Sequence, residues 1–392
     1  MASQKRKRSI VLIILLVLTG FCVLALAASV ISNQFIPQGS QPTDSLSQAQ
    51  KALMTEAAHL RQELGGQVWP GWENADIPLI TFNEANAFLT GVDQPSADGW
   101  LKLPQETPLG RRWMPMDNDT LLGAPYFFQP LPSSGKTPEN FVVKVGDRWA
   151  ASMVSKEYGN IELIREFRDQ MPPLLRAVIP FNLAIRLFNS DWYISGVLHE
   201  SFHAYQGQIA GQRLYESEEI NLQQSAAYPY SDDRSQAAWQ AELKALQNAL
   251  RAKTDQQAAS YAREFLNLRA QRRADLNLSA DLVELERQRE WLEGGAKYTE
   301  LAIWQAAAAN PQYQPINETS VLSDFKRYQQ FNGRWNNEVD QLGRASNGEG
   351  ETRFYYSGMA QGFLLDRLSP GWKQTYFQPD AWFETMLQAA LQ

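Results

Sequence analysis

Residues 197–206 of the chain read VLHESFHAYQ, and this stretch decides how the rest of the sequence is interpreted. Residues 199–203 within it form the pattern H-E-x-x-H. On an α-helix His199 and His203 lie on one face, so both imidazoles can bind one metal ion. Glu200 lies one position round the helix, where it can hold a water molecule beside the metal and accept its proton.

Zinc is the metal that this pattern predicts, with three protein ligands and a fourth position left for water. The chain has three histidines in 392 residues, and two of them are in the pattern. Its single cysteine, Cys22, excludes a zinc site built from several cysteines. The alternative interpretation is two ordinary histidines and a solvated glutamate on a surface helix.

The H-E-x-x-H segment resembles the helix of the zincin metallopeptidases. Their metzincin branch would continue with glycine and histidine at the positions where this chain has Gln206 and Ile209. In the gluzincin branch the third ligand is a glutamate from a later helix. The segment WLEGGAKYTE, residues 291–300, resembles the second gluzincin motif. This resemblance implies that Glu293 is the third zinc ligand.

Two glycines beside Glu293 favour the same interpretation. Gly294 and Gly295 lie inside a strongly helical pattern, where each costs roughly 1 kcal/mol relative to alanine. Such a cost indicates that another helix approaches closely, as a shared metal would demand. Glu219, Glu290 and, more distantly, His59 remain alternatives for the third ligand.

One position differs from the gluzincin pattern. Many gluzincins carry an aspartate four residues after the ligand glutamate, where it orients a histidine. This chain has Lys297 at that position. Glu290, Glu300 or a backbone carbonyl would have to orient the histidine instead.

A second candidate segment, RFYYSGMAQGFLLDRL, covers residues 353–368. Gluzincin-type peptidases often place a tyrosine or histidine opposite the metal, where it donates a hydrogen bond to the developing oxyanion. Tyr355 and Tyr356 are the candidates for this role, and Arg353 could act electrostatically. The alternative is that these residues pack in the core at helical spacing.

The N-terminus predicts a membrane anchor. Residues 5–8 are all basic, and an uncharged run follows over 9–32. Its apolar part is long enough to cross a bilayer core of about 30 Å as a helix. The charge asymmetry places residues 1–8 in the cytoplasm and the rest outside. We expect an uncleaved signal anchor, the alternative being cleavage near Ala27 that yields a secreted protein.

The rest of the chain divides by composition. We expect a linker over 33–43, an N-terminal α+β lobe over 44–157 and a helical, zincin-like catalytic domain over 158–392. The expected fold class is therefore α+β, mostly helical, after one transmembrane helix. Strands are predicted at 78–82, 87–90, 141–145 and 148–154. Helices are predicted at 45–64, 160–170, 181–188, 192–210, 235–252, 255–273, 280–308, 319–339, 352–368 and 380–391.

Together these features predict a membrane-anchored, extracytoplasmic zinc metallopeptidase that acts on a peptide or protein substrate. The net charge of −7 makes a general nucleic-acid binder a poor alternative. Two other functions stay open: a non-catalytic zincin-like binding protein, and a metal hydrolase of a non-peptide cell-envelope substrate. Nothing in the sequence indicates an oligomeric state.

Overall fold

The apolar N-terminal run forms one long helix, α1 (Ala2–Asn33), in a computed structural model of the chain. The model describes residues 2–37, 39–40, 43–95, 99–121, 123–131, 139–181, 189–347 and 350–392. Within α1, the window Leu16–Asn33 has a mean hydropathy of 2.0 and is almost wholly exposed, so it is long and apolar enough to cross a membrane. A signal sequence has the same character.

The second helix, α2 (Gln48–Val68), begins at a serine cap. The Ser47 hydroxyl accepts a hydrogen bond from the backbone amide of Gln50 at 3.1 Å. This bond satisfies one of the free amides at the helix start. The helix predicted over 45–64 therefore begins three residues later, at Gln48.

In the described part of the chain, eight strands form one sheet in the order β4-β3-β7-β8-β1-β2-β6-β5. Neighbouring strands are antiparallel, whereas β1 and β8 are parallel. All four predicted strand segments are confirmed, and β3 to β6 were not predicted. The strands are β1 (Leu79–Phe82), β2 (Asn86–Thr90), β3 (Trp100–Lys102), β4 (Thr107–Leu109), β5 (Met114–Leu121), β6 (Ala124–Pro130), β7 (Phe141–Val145) and β8 (Arg148–Val154).

Helices make up most of the remaining structure, which confirms an α+β fold that is mostly helical. The predicted helix over 181–188 lies, apart from Phe181, outside the described residues. The prediction of a single helix over 319–339 is wrong. A 3₁₀ turn (Asn317–Val321) lies at its start, and the helix begins only at Phe331. The helices are α3 (Lys156–Gln170), α4 (Pro173–Val178), α5 (Ser190–Gln224), α6 (Asp233–Arg251), α7 (Asp255–Asp275), α8 (Ala280–Arg289), α9 (Gly295–Ala309), α10 (Phe331–Leu342), α11 (Thr352–Leu368) and α12 (Phe383–Ala390). A π-helical turn, Glu290–Gly294, joins α8 to α9.

One hydrophobic cluster contains buried residues from both sides of the predicted boundary between residues 157 and 158. The buried face of α2 belongs to the same apolar cluster as α5 and α9. Trp69, at the end of α2, stacks on Phe202 of α5 with ring centroids 4.9 Å apart. Its indole nitrogen donates to the Thr299 hydroxyl at 2.6 Å. Structurally, α2 is thus part of the helical unit that carries the H-E-x-x-H residues.

Candidate metal centre

Three predicted ligands converge in the structure. His199 and His203 from α5 and Glu293 from the π-helical turn each place one ligand atom within 4.8 Å of the others. The Glu293 Oε2 atom lies 3.5 Å from His199 Nε2 and 3.3 Å from His203 Nε2. Ligand atoms held tetrahedrally at about 2.0–2.1 Å from zinc are about 3.3–3.4 Å apart. The two distances from Glu293 therefore fit a tetrahedral cation, and the third pair of ligand atoms lies within 4.8 Å.

Two carboxylate oxygens at this site are buried and unsatisfied. Among the described residues, neither Glu293 Oε2 nor Glu200 Oε2 has a hydrogen-bond partner. A buried charged acceptor without a partner costs on the order of 1–3 kcal/mol or more. A cation beside Glu293 and a water molecule beside Glu200 would satisfy both atoms. The donor set of two imidazoles and one carboxylate suits a divalent metal with an open position.

Each histidine is oriented from behind by another polar side chain. The His199 Nδ1 atom lies 3.3 Å from Glu300 Oε2. The His203 Nδ1 atom lies 2.8 Å from Gln206 Oε1. Both oxygens are acceptors, so they hold a ring proton on Nδ1 and direct Nε2 towards Glu293. Of the residues considered for this role, Glu300 is the one that contacts His199, whereas Gln206 was not anticipated.

Gln206 also ties α5 to the turn that carries Glu293. Its Nε2 atom donates to the carbonyls of Trp291 at 3.0 Å and Leu292 at 3.2 Å. A π-helical turn departs from the regular hydrogen-bond ladder, and such turns are frequent at functional sites. One amide side chain thus connects the candidate ligand His203 to the segment that carries the candidate ligand Glu293.

Gln206→Leu should therefore weaken zinc binding by about 10–100-fold, because it removes the partner of His203 and the bonds to the π-helical turn. Gln206→Glu keeps the acceptor for His203 and should lose less. Gln208→Leu is the control on the same helix, since Gln208 is exposed and bonds only the Asp76 carbonyl among the contacts of the described residues. Competition with a chelating dye measures the affinities. Equal affinity of Gln206→Leu and the wild type would contradict the role.

The second oxygen of Glu293 is held by an arginine. Arg289 Nη2 donates to Glu293 Oε1 at 2.8 Å. Arg289 is itself paired with Glu218 and Glu351, both at 2.5 Å. Glu293 therefore presents Oε2 alone to the histidines. Arg289 was not predicted to belong to the site, although its position four residues before Glu293 is a recognisable helical pairing.

The protonation of the site follows from its crowded carboxylates. Burial lowers the pKa of His199, but the neighbouring carboxylates of Glu293 and Glu300 outweigh it and raise the pKa to about 10. Burial raises the pKa of Glu200 to about 8. Burial also opposes ionisation of Glu293, yet His203 and Arg289 hold its pKa well below the usual range. The carboxylates around His199 thus favour a positive charge at this position. A bound divalent cation would supply that charge and replace the proton on His199.

The two tyrosines predicted as oxyanion donors have different surroundings. The Tyr355 ring stacks on His199, with centroids 5.9 Å apart and planes at 10°. Burial and the nearby charge of Glu293 raise the pKa of Tyr355 well above its ordinary value, so its hydroxyl keeps its proton. Tyr356 instead contacts Glu338 and the ammonium group of Lys297. Tyr355 is therefore the better placed of the two.

The other residues considered as third ligand have partners elsewhere. Glu290 is buried in an ion pair with Arg269 at 2.5 Å. Glu219 is exposed and accepts a hydrogen bond from Gln223 at 3.1 Å. His59 stacks on Tyr313. The group that could hold a metal, as far as the described residues show, contains Glu293 and none of these three.

Gly294 is a point of close helix contact, as its sequence context predicted. A Cβ atom added there would lie 2.5 Å from the Cα atom of Gly358 in α11. The neighbour is thus α11, which supports the π-helical turn from the side of Tyr355. Gly295 faces the Tyr376 hydroxyl and the Gln206 amide. Glycine at both positions lets the ligand-bearing turn be held from two directions.

Gly294→Ala should destabilise the fold by about 1–3 kcal/mol, because backbone atoms of Gly358 must move to admit the methyl group. Gly333→Ala in α10 is the matched control, since no atom lies within 4 Å of its added Cβ. That control should be neutral or stabilising by up to about 1 kcal/mol. Chemical denaturation of the metal-free proteins measures both changes. An unfolding midpoint of Gly294→Ala equal to that of wild type would contradict the packing argument.

The sheet reaches the site through Phe141, the first residue of β7. Its ring centroid lies 5.1 Å from that of His203. In the described register β7 pairs with β3 at Val143 and Lys144, which leaves Phe141 and Val142 beyond that pairing. Among the described residues, β3 therefore leaves the part of β7 nearest the histidines unpaired on that side.

No family model, curated protein or solved structure matches the chain. The resemblance to gluzincins therefore rests on two motifs and on the geometry in which the fold places their residues.

Proposed function

We propose that this protein is a zinc-dependent metallopeptidase of zincin-like fold, anchored in a membrane with its catalytic domain outside the cytoplasm. The observation that carries the proposal is the convergence of His199 Nε2, His203 Nε2 and Glu293 Oε2. A structural zinc site uses four protein ligands, whereas three ligands with an adjacent acid are typical of hydrolytic sites. Glu200, buried on the same helix, supplies that acid.

The residues of the chain have distinct roles in this proposal. His199, His203 and Glu293 would hold zinc, which when bound polarises water and the scissile carbonyl. Glu200 accepts the proton of the attacking water and returns it to the leaving amine. Burial raises the pKa of Glu200 to about 8, and the positive charge of a bound cation would lower it, which would free the carboxylate to accept that proton.

Two further contacts would position the substrate. The Tyr355 hydroxyl, held beside Glu293, would donate a hydrogen bond to the oxyanion that forms at the carbonyl. The part of β7 that β3 leaves unpaired, Phe141 and Val142 next to His203, would pair with an extended peptide, as edge strands do in other peptide-binding proteins. Both contacts favour a peptide over a compact small molecule.

The proposed location depends on α1. The basic residues 5–8 precede the apolar window and favour a cytoplasmic N-terminus. The helix would then remain as a signal anchor, and the sheet and helices that follow would lie outside. Cleavage of the same segment would instead release the domain.

Elemental analysis of the purified full-length chain, together with assays on a mixed library of quenched fluorescent peptides, tests the proposed activity. We expect one zinc ion per chain and peptide cleavage that stops on chelation and returns with zinc. A folded chain that takes up no zinc would overturn the proposal. A zinc-loaded chain that cleaves no peptide would also overturn it, and would favour a binding protein or a hydrolase of a non-peptide substrate.

A further inference from the structure

The end of the apolar helix α1 is bound directly to the segment that follows α3. The Asn33 side-chain amide donates to the carbonyls of Arg176 at 3.1 Å and Ile179 at 2.8 Å. Its oxygen accepts a hydrogen bond from the amide of Phe181 at 3.0 Å. Asn33 is also the last residue of the window that could cross a membrane. The segment around α4 therefore lies at the level where α1 would leave the bilayer.

Apolar packing holds α3 at the same level. Ile36, just after α1, forms a buried cluster with Ile164 of α3 and with Phe181. The Phe181 ring also meets the ring of Phe167 edge-on, with centroids 6.1 Å apart. The exit of α1 is thus fixed against two helices by hydrogen bonds and by side-chain contacts.

Large apolar side chains are exposed around this exit. The exposed fraction is 74% for Phe35, 49% for Leu163, 45% for Phe167 and 42% for Leu175. Leu163 and Phe167 are four residues apart and share one face of α3. Single exposed apolar residues are ordinary on protein surfaces, whereas several around one helix end indicate a partner.

We propose that the outer leaflet of the membrane covers these four side chains, which we name the membrane-facing surface. The inference rests on the proposed position of α1 across the bilayer. Lipid is the partner because this surface is continuous with the end of the membrane-crossing window. Apolar faces of interfacial helices enter the boundary of head groups and acyl chains by about 5–10 Å. The catalytic domain would then be held in one orientation above the bilayer.

The charges on α3 and α4 indicate how this surface binds lipid. These two helices carry as many basic as acidic side chains, namely Lys156, Arg165, Arg168 and Arg176 against Glu157, Glu162, Glu166 and Asp169. Anionic head groups would gain little from such a balance. The contact is therefore apolar, and it should persist in a purely zwitterionic membrane.

Depth-dependent fluorescence quenching of the full chain tests this inference. Cys22, the single native cysteine, lies exposed on α1 and reports whether that helix is in lipid. In a Cys22→Ser background, Phe167→Cys and Leu175→Cys probe the membrane-facing surface. Leu222→Cys on α5, at a residue that is 62% exposed, is the control. Each thiol carries bimane, one chain occupies each phosphatidylcholine nanodisc, and spin-labelled lipids act as quenchers.

We expect deep quenchers to act on position 22, shallow quenchers to act on positions 167 and 175, and neither to act on position 222. Quenching at position 22 without quenching at 167 and 175 would overturn the membrane-facing surface and leave α1 in the bilayer. Equal quenching at 222 would overturn it too, because the contact would not be specific. Absence of quenching at position 22 would contradict the membrane anchor itself.

Discussion

Glu200→Gln is expected to leave zinc bound and to reduce peptide hydrolysis by about 10²–10⁴-fold, the usual contribution of a general base. Glutamine has the size of glutamate but cannot accept the proton of the attacking water. Glu200 is not in the ligand group, so the metal should be retained. The measurement is kcat/KM together with zinc content on the same preparation.

Two companion variants make this result specific. Glu219→Gln changes an exposed glutamate on the same helix and should leave activity unchanged. Glu200→Asp keeps a carboxylate on a shorter side chain, so the activity of this variant should fall between that of Glu200→Gln and that of the wild type. A zinc-loaded Glu200→Gln protein with wild-type kcat/KM would exclude Glu200 as the general base and, with it, the mechanism proposed here.

The sequence predicted those parts of the site that depend on local spacing. His199 and His203 are one helical turn apart, and a helix of ordinary pattern surrounds them, so their common face followed from geometry. The hairpin over 141–154 followed from alternating residues around Gly146, which adopts a φ of 61°. Such features need only neighbouring residues, and they agree with the structure closely.

Contacts across long separations could not be predicted in the same way. Glu351 reaches Arg289 from 62 residues away, and Phe141 reaches His203 from the sheet. Neither contact has a local signature. β3 and β4 have three residues each, and most residues of β5 are exposed. β6 contains Pro125 and Pro130, which argue against a strand. Their pairing is set by the sheet rather than by their own composition.

Lys297 is the position at which this chain differs from the gluzincin pattern that its two motifs resemble. Lys297 stands where gluzincins often have the aspartate that orients a histidine. Its ammonium group lies 3.0 Å from Glu300 Oε1, and the other oxygen of Glu300 faces His199. Glu300 is seven residues after Glu293, about two helical turns, so both carboxylates lie on one face of this segment and reach the two different nitrogens of His199. In this chain the carboxylate that contacts His199 is thus Glu300, three residues after the position of the gluzincin aspartate, and Lys297 lies beside it.

Glu293→Gln and Glu290→Gln should have opposite effects, although both residues lie in the π-helical turn and both are buried. Glutamine at 293 can still accept a hydrogen bond from Arg289 through its carbonyl oxygen. It removes the anionic ligand atom, so zinc affinity should fall by more than the roughly 10–100-fold typical of an orienting residue. Glutamine at 290 should leave zinc bound, because Glu290 pairs with Arg269 instead.

The stability of the two variants should differ in the reverse sense. Removing one partner of a buried ion pair costs about 3–5 kcal/mol, so Glu290→Gln should unfold earlier even with zinc present. Chelation should lower the Tm of wild type, since zinc binds the folded state, and should leave that of Glu293→Gln unchanged. Zinc content after dialysis and Tm with and without chelator measure both effects. A Glu293→Gln protein that keeps one zinc ion per chain would show that the third ligand is another residue, while the loss of zinc from Glu290→Gln at full stability would move that role to Glu290.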